Sequence, residues 1–97
     1  NSLMYQIFIT PSAQKGSKKL PKKVRQVAFD SLQRLQDNPL SGEKLSGSLQ
    51  FLYSLHFKTE GKDYRCAYTV DHNNKKIIVH LIQSREGFYQ RLKRLLK

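Results

Sequence analysis

The chain has 97 residues and a mass of 11.3 kDa, enough for one hydrophobic core and too little for two. We therefore expect a single domain over residues 1–97. Eighteen Lys and Arg residues oppose seven Asp and Glu residues, which gives a formal charge of +11 and a pI near 10.1. This excess favours a polyanionic partner, either nucleic acid or an acidic protein, over a merely solvated basic surface.

A single cysteine excludes an internal disulfide, so the cytoplasm is the expected compartment. Cys66 lies on the apolar side of a predicted strand, which favours a buried structural thiol over a nucleophile. No apolar run reaches the roughly 18 residues that cross a bilayer, and we expect no membrane partner. Residues 1–3 precede Met4 and are interpreted as a cloning remnant.

The first half of the chain predicts one strand and two helices. Residues 5–10 are rich in β-branched and aromatic residues and end at a proline, as strands do. Residues 12–20 predict a short helix, and residues 21–38 predict a longer one that ends at Asn38-Pro39. The longer helix has an apolar stripe at three-four spacing. This stripe consists of Val24, Val27, Ala28, Leu32 and Leu35.

Basic side chains crowd the junction between the two predicted helices. They could follow the phosphates of a nucleic acid, or they could simply form a solvated helix face. The set consists of Lys15, Lys18, Lys19, Lys22, Lys23 and Arg25.

The second half predicts a loop and three strands. Residues 40–50 contain two Ser-Gly pairs and read as the loop. Residues 51–70 alternate with a period of two around a turn at Gly61, which predicts a hairpin with one apolar and one polar face. Residues 76–82 are nearly all apolar and suit a central strand. Gly87 then leads to residues 88–97, a short basic amphipathic helix.

The predicted faces of the hairpin separate core residues from polar ones. One face presents Phe51, Tyr53, Leu55 and Phe57 with Tyr64, Cys66, Tyr68 and Val70, and the other presents Leu52, Ser54, His56 and Lys58 with Arg65, Ala67 and Thr69. We therefore predict an α+β fold, in which two helices pack on one face of a twisted, mainly antiparallel four-stranded sheet in the order β-α-α-β-β-β. The opposite face of the sheet would carry the polar set.

The polar set suits a metal-free way of cutting RNA. The spacings of His, Cys and carboxylates indicate neither a metal site nor a cofactor site. RNA supplies its own nucleophile in the 2′-hydroxyl, so a protein needs only to orient it, move protons and stabilise charge on the phosphate. His56 could exchange protons near neutral pH, and Arg65 and Arg85 could hold the phosphate. Tyr89 could protonate the departing oxygen or stack on a base.

Further side chains are predicted to bind RNA around these four candidates. They are Lys58, Ser54, Lys44, Lys62, Arg91 and Lys93. The alternative is a structural one, in which the histidine faces solvent and the two arginines pair with Glu60 or Glu86.

Several short motifs recur here in an order and spacing that resemble a known family. They are Pro11-Ser12-Ala13, Lys19-Leu20-Pro21, Asn38-Pro39, Lys44-Leu45-Ser46-Gly47, Tyr64-Arg65-Cys66-Ala67-Tyr68, and Arg85 with Tyr89. From Tyr5 to its C-terminus the chain resembles the RelE/ParE superfamily of toxins from bacterial and archaeal toxin-antitoxin pairs. For the RelE-like members, the resemblance implies a metal-free endoribonuclease that cuts mRNA on the ribosome.

The resemblance also implies roles for individual residues. Arg65 matches the strand arginine that holds the scissile phosphate, Arg85 the arginine after the last strand, and Tyr89 the C-terminal tyrosine. The RelE branch places two lysines on the preceding strand, where this chain has Ser54 and His56. Related branches use His or Glu as the base, so His56 is the implied substitute.

Two alternative functions stay open. ParE-like members share the fold and poison DNA gyrase through a protein contact without cutting RNA, so their tail needs no catalytic tyrosine. Arg85 and Tyr89 favour the nuclease. A basic RNA-binding module without catalysis is the third reading. The family implies an antitoxin partner, beside mRNA and the ribosome, and the positive charge suits an acidic antitoxin segment.

Overall fold

A computed structural model describes residues 4–95 as three α-helices and one five-stranded mixed sheet. The predicted α+β fold is confirmed. Residues 1–3, interpreted as a cloning remnant, and residues 96–97 of the predicted tail helix lie outside the described residues. The elements are β1 (Gln6–Ile9), α1 (Pro11–Ser17), α2 (Lys22–Arg34), β2 (Glu43–Lys44), a 3-10 turn (Gly47–Leu49), β3 (Tyr53–Thr59), β4 (Lys62–Asp71), β5 (Lys76–Ser84) and α3 (Phe88–Leu95).

The sheet has five strands where four were predicted, and its order is β1-β5-β4-β3-β2. β1 pairs with β5 in parallel, and the other pairs are antiparallel. The additional strand, β2, lies inside the predicted loop at residues 40–50, where Glu43 pairs with Ser54 and Lys44 with Tyr53. Two residues are too few to show a period of two, so only the pairing identifies this strand.

Both N-terminal helices are shorter than predicted. Thr10 caps the start of α1, because its Oγ1 accepts a hydrogen bond from Ala13 N at 3.1 Å. The helix ends at Ser17. α2 ends at Arg34, because the next amides donate to carbonyls three residues back instead of four. No helix within residues 4–95 is long and apolar enough to cross a membrane.

The larger core lies between α2 and one face of the sheet, and α1 packs against β5 on the same face, where Gln14 and Ser17 line a cavity with Ala28 and Ile82. This core contains every residue of the predicted α2 stripe, with Val27 only partly buried. Its buried members are Val24, Ala28, Leu32, Leu35, Phe57, Tyr64, Cys66, Tyr68, Ile77, Val79 and Ile82. The predicted packing of both helices on one face of the sheet is therefore confirmed.

The opposite face is not the fully polar surface that the alternation predicted. A second core covers part of it, because α3 folds back over the sheet and buries Phe88 and Leu92. Leu52, predicted on a polar face, is fully buried, whereas Phe51, predicted in the core, is 54% exposed just before β3 begins. The members of this core are Leu45, Leu49, Leu52, Ala67, Leu81, Phe88 and Leu92.

The register of β4 and β5 shifts at a β-bulge. Ala67 faces Leu81, but Tyr68 faces Val79, so His80 has no partner of its own. His80 is half-buried and its Nε2 is hydrogen bonded to Thr69 Oγ1 at 2.9 Å. Burial lowers the pKa of His80, because desolvation penalises the charged imidazolium.

Tyr68 fixes the loop that carries β2. Its buried hydroxyl donates to the carbonyl of Pro39 at 2.9 Å and accepts from the amide of Gly42 at 3.0 Å. A Cβ added at Gly42 would lie 2.3 Å from that hydroxyl, so only glycine allows this approach. The Tyr68 ring also stacks on Tyr53, with ring centroids 5.6 Å apart.

We expect Tyr68→Phe to lower the free energy of unfolding by about 1–3 kcal/mol, because Pro39 and Gly42 each lose a buried hydrogen-bond partner. Urea denaturation followed by circular dichroism measures this. The matched control is Tyr64→Phe, whose stacked ring is kept and whose hydroxyl bonds no other described residue. Equal losses in the two variants would contradict the assigned role.

A second prediction concerns pH. Because the folded state holds the pKa of His80 below its unfolded value, the unfolded chain binds the proton more readily. The contribution of neutral His80 to the free energy of unfolding is therefore fully present above about pH 6.5. It is lost as the pH falls toward the lowered pKa of the folded state. In His80→Gln, the denaturation midpoint should fall less steeply than in the parent as the pH is lowered. The same substitution at the exposed His72 is the control, and identical slopes in parent and His80→Gln would refute the assignment.

Candidate functional site

The hairpin of β3 and β4 places His56 directly opposite Arg65. Cross-strand partners project to the same face of a sheet, so both side chains lie on the face away from α1 and α2. The register is set by a two-residue turn, in which Glu60 and Gly61 have φ values of 54° and 74°. Two positive φ values indicate the hairpin turn that matches strand twist.

Arg65 is held from three sides. Its Nη1 donates to Ser54 Oγ at 3.4 Å and lies 3.6 Å from Glu43 Oε1. Its Cζ lies 6.0 Å from the ring centroid of Tyr89, near the limit of a cation-π contact. The guanidinium is thus fixed on the rim of the second core by β2, β3 and α3.

The hydrogen-bonding capacity of Arg65 is not exhausted. Its Nε is buried and has no partner among residues 4–95, although its side chain is 19% exposed. Glu43, its ionic partner, is 74% exposed and can swing away into water. The alternative pairing of Arg65 with Glu60 or Glu86 is absent from residues 4–95, where its carboxylate partner is Glu43. An anion that displaced Glu43 would meet a guanidinium already in position.

His56 is paired with a carboxylate. Its Nε2 lies 3.1 Å from Asp63 Oδ1, and their side chains are 51% and 34% exposed. The Asp63 carbonyl also accepts a hydrogen bond from the amide of Arg85 at 2.9 Å. Asp63 therefore orients the imidazole and ties the start of β4 to the end of β5.

Arg85 and Lys62 line a groove beside this pair. The groove has a volume of about 520 Å³ and lies between the hairpin turn and the end of β5. The Arg85 side chain is exposed, and no hydrogen bond or ion pair to Arg65 or His56 is found among the described residues. The structure therefore places Arg85 next to Asp63, but no described bond links its guanidinium to the pair formed by His56 and Arg65. The groove is lined by Gly61, Lys62, Asp63, Ser84, Arg85 and Glu86.

A second groove, of about 340 Å³, runs from the Arg65 pair between β2 and α3. Tyr89 is 41% exposed on its wall and packs edge-on against Phe88. Two of the predicted RNA-binding lysines, Lys44 and Lys93, belong to this groove. Its lining consists of Glu43, Lys44, Leu45, Ser46, Leu49, Tyr89 and Lys93.

The other predicted RNA-binding residues lie apart from this groove. Ser54 is 2% exposed and reaches the site only through its bond to Arg65. Lys58 is exposed on the part of β3 that β2 does not cover. Arg91 is exposed on α3.

Two side chains at the site were missed by sequence reasoning. Asp63 precedes Arg65 by two residues, so the strand period places both on one face and could have revealed it. Glu43 had no such signal, because it lies in a segment that reads as a loop. Cys66 takes no part, since burial raises the pKa of its thiol to about 12. Within residues 4–95, no three His, Cys, Asp or Glu side chains gather as metal ligands do.

Solved structures share this fold at low sequence identity. The RelBE2 toxin-antitoxin complex of Mycobacterium tuberculosis aligns at a TM-score of 0.73 and 24% identity, covering 84% of this chain and 99% of that one. A mutant of the Escherichia coli toxin RelE in the free state gives 0.75 and 19%, with coverage of 94% and 97%. The RelE-RelB complex of Pyrococcus horikoshii gives 0.64 and 23%, with coverage of 86% and 97%.

Sequence comparison identifies the family. No curated protein sequence gives a significant match to this chain. A family model described as a ParE-like toxin of type II bacterial toxin-antitoxin systems matches residues 7–93, nearly the whole chain. The resemblance inferred from short motifs is therefore confirmed, and the chain belongs to the ParE-like toxin family of type II bacterial toxin-antitoxin systems.

Proposed function

We propose that this toxin is a metal-independent endoribonuclease that cuts mRNA on the ribosome, in the cytoplasm, by attack of the 2′-hydroxyl. The observation that carries the proposal is the placement of His56 opposite Arg65 on an open strip of the sheet. His56 can take a proton and Arg65 can hold a phosphate, and the two residues lie on neighbouring strands.

The phosphate would bind at Arg65. A phosphodiester oxygen that replaces the Glu43 carboxylate gains a charge-assisted hydrogen bond from Nη1, and the unpartnered Nε offers a further donor close by. Charge builds on the non-bridging oxygens as the 2′-oxygen attacks. A guanidinium fixed in advance by Ser54 stabilises that charge without having to reorganise.

Proton transfer would be assigned to His56. Its ring is half-exposed, so RNA can reach it, and Asp63 at 3.1 Å orients the imidazole. His56 would take the proton of the 2′-hydroxyl. Asp63 is a positioning residue in this scheme, because it acts through the imidazole.

Tyr89 and Arg85 would act on either side of the scissile bond. Tyr89, exposed beside Arg65, could stack on a base or donate a proton to the departing 5′-oxygen. Arg85 and Lys62 would bind a neighbouring phosphate in their groove. Lys44 and Lys93 would do the same in the second groove, while Lys58 and Arg91 would add longer-range attraction.

An antitoxin is the expected protein partner. The solved RelBE2 complex of M. tuberculosis, which shares this fold, is a toxin-antitoxin complex. The formal charge of +11 would attract an acidic segment of such a protein. Binding over the strip that holds Arg65 would block access of RNA.

The second candidate is a toxin that inhibits DNA gyrase through a protein contact. The name of the matching family supports it. The resemblance to the RelE/ParE superfamily implies that ParE-like members inhibit gyrase. In that case the pairing of His56 with Asp63 would have only a structural role.

Induced expression in bacteria separates these candidates. We expect growth arrest with cuts in translated mRNA, and we expect Arg65→Ala to lower the cleavage rate by about 10²–10³-fold, since it removes a donor to the transition state. Primer extension on a reporter mRNA measures the cuts. Lys76→Ala removes an exposed cation at the start of β5, toward the opposite end of β4 from Arg65, and this control should cleave normally. Intact mRNA with gyrase-dependent DNA breaks would instead establish the second candidate.

The pH profile of cleavage tests the base. We expect His56→Gln to lower the rate by about 10²–10⁴-fold and to remove the acidic limb of the profile. Asp63→Asn should keep that limb and lower the rate less. Glu43→Gln is the control for the other carboxylate near Arg65, and it should leave the limb in place. A limb that survives in His56→Gln and disappears in Glu43→Gln would transfer the role of base to Glu43.

A further inference from the structure

The groove between β2 and α3 combines apolar, aromatic and charged groups around one small space. Its volume of about 340 Å³ is near the lower end of the range for ligand pockets. Leu45 and Leu49, both buried in the second core, supply its apolar part, and the exposed ring of Tyr89 lines it as well. An exposed tyrosine ring next to apolar side chains suits a flat ligand that stacks on it, such as a nucleobase.

Three charged side chains line the same groove, and all three are exposed. They are one carboxylate, Glu43, and two ammonium groups, Lys44 and Lys93. The ion pair with Arg65 uses Glu43 Oε1, and no hydrogen bond or ion pair to Glu43 Oε2 is found among residues 4–95. A carboxylate only accepts hydrogen bonds, and an ammonium group only donates them. The groove therefore suits a ligand with donors on one edge and acceptors on another.

The groove adjoins the proposed phosphate site, because Glu43 belongs to both. In the proposed function, a phosphate oxygen replaces the Glu43 carboxylate, which lies 3.6 Å from Arg65 Nη1. The displaced carboxylate loses its cation and stays in the groove, beside the nucleotide that carries the phosphate. A base with suitably placed N–H groups gives this carboxylate a new partner, and a base without them leaves it unpaired.

We propose that this groove is a base-binding subsite that selects guanine next to the phosphate held by Arg65. The inference rests on the proposed function, because RNA is the ligand proposed for Arg65. Guanine carries two neighbouring donors, its N1–H and its N2 amino group, which match the two oxygens of the Glu43 carboxylate. Its O6 and N7 accept hydrogen bonds from lysine, so Lys44 or Lys93 meets the other edge of the base.

The other three bases match this lining less well. Adenine and cytosine each place one amino donor beside a ring nitrogen that accepts, and uracil has one N–H between two carbonyl groups. Each of them sets an acceptor lone pair against the carboxylate of Glu43. A good bidentate contact discriminates between bases by roughly 5–150-fold in affinity.

Binding of uncleavable oligonucleotides tests the subsite. The probe is a fluorescein-labelled hexanucleotide of 2′-O-methyl uridine with one central base replaced by guanine, adenine or cytosine. In fluorescence anisotropy, we expect the guanine probe to bind about 5–50-fold more tightly than the others. Hypoxanthine, which lacks the N2 amino group, should give an intermediate affinity. Equal affinities, tighter binding of another probe, or no measurable binding would overturn the proposal.

Glu43→Gln tests the residue that reads the base. Removing this charge should strengthen binding of every probe, because Arg65 loses a competing anion, so the diagnostic quantity is the ratio of Kd values for the adenine and guanine probes. We expect Glu43→Gln to bring this ratio to within about threefold of one, since an amide has one acceptor and one donor group. The matched control is Glu60→Gln in the exposed hairpin turn, which should keep the parental ratio. An unchanged ratio in Glu43→Gln, or equal losses in both variants, would contradict the assignment.

Variants of Tyr89 test where the base lies. Tyr89→Phe keeps the ring and should keep both the affinity for the guanine probe and the ratio. Tyr89→Leu removes the stacking surface and should weaken binding of the guanine probe about fivefold or more. Parental affinity in Tyr89→Leu would place the base outside this groove, and the proposal would be wrong.

Binding and cleavage can fail separately. If the parent cut no mRNA but preferred the guanine probe through Glu43, the nuclease proposal would fall and the guanine subsite would stand. If the parent cut mRNA but bound all probes equally, the nuclease proposal would stand and the guanine subsite would fall.

Discussion

The register of the β3-β4 hairpin is the constraint on which the rest of the site depends. Side chains alternate along each strand, so a slip of one residue would send His56 or Arg65 into the helical layer. The turn at Glu60 and Gly61 fixes the register at one end. Stacked pairs on the core face, Phe57 with Tyr64 and Tyr53 with Tyr68, hold it along the length of the strands. Apolar packing on one face thereby determines the chemistry on the other.

The charge of Arg65 is compensated less completely than that of most buried arginines. A mostly buried guanidinium normally gains paired carboxylates and a full set of acceptors, because desolvation is costly. Here its Nε lacks a described partner, and its carboxylate, Glu43, is largely in water. Contact with Ser54 and Tyr89 fixes the side chain but does not neutralise its charge. A rigid, incompletely satisfied cation of this kind is expected where an anionic ligand is to bind.

The sequence predicted the parts of this fold that follow from local periodicity. The period-two hairpin placed His56 and Arg65 on one face, and the three-four stripe of α2 identified its buried side. The second core was not predicted, because the burial of Leu52 depends on α3, a segment some 40 residues later in the chain. Glu43 was missed for the same reason, since β2 exists only through its pairing with β3. Local patterns specify strands and faces, whereas contacts between distant segments decide what covers a face.

Membership of a family fixes the fold of this chain but not its reaction, because one scaffold can carry both a nuclease and a protein-binding toxin. The distinction therefore depends on individual side chains along the strip that α3 leaves open. A surface that only binds a protein gains little from an imidazole oriented by a carboxylate directly across from a fixed arginine. His56, Asp63 and Arg65 form that arrangement, and Tyr89 from α3 completes its border. Since α3 also seals the second core, the helix that stabilises this face also sets one border of the strip that stays open.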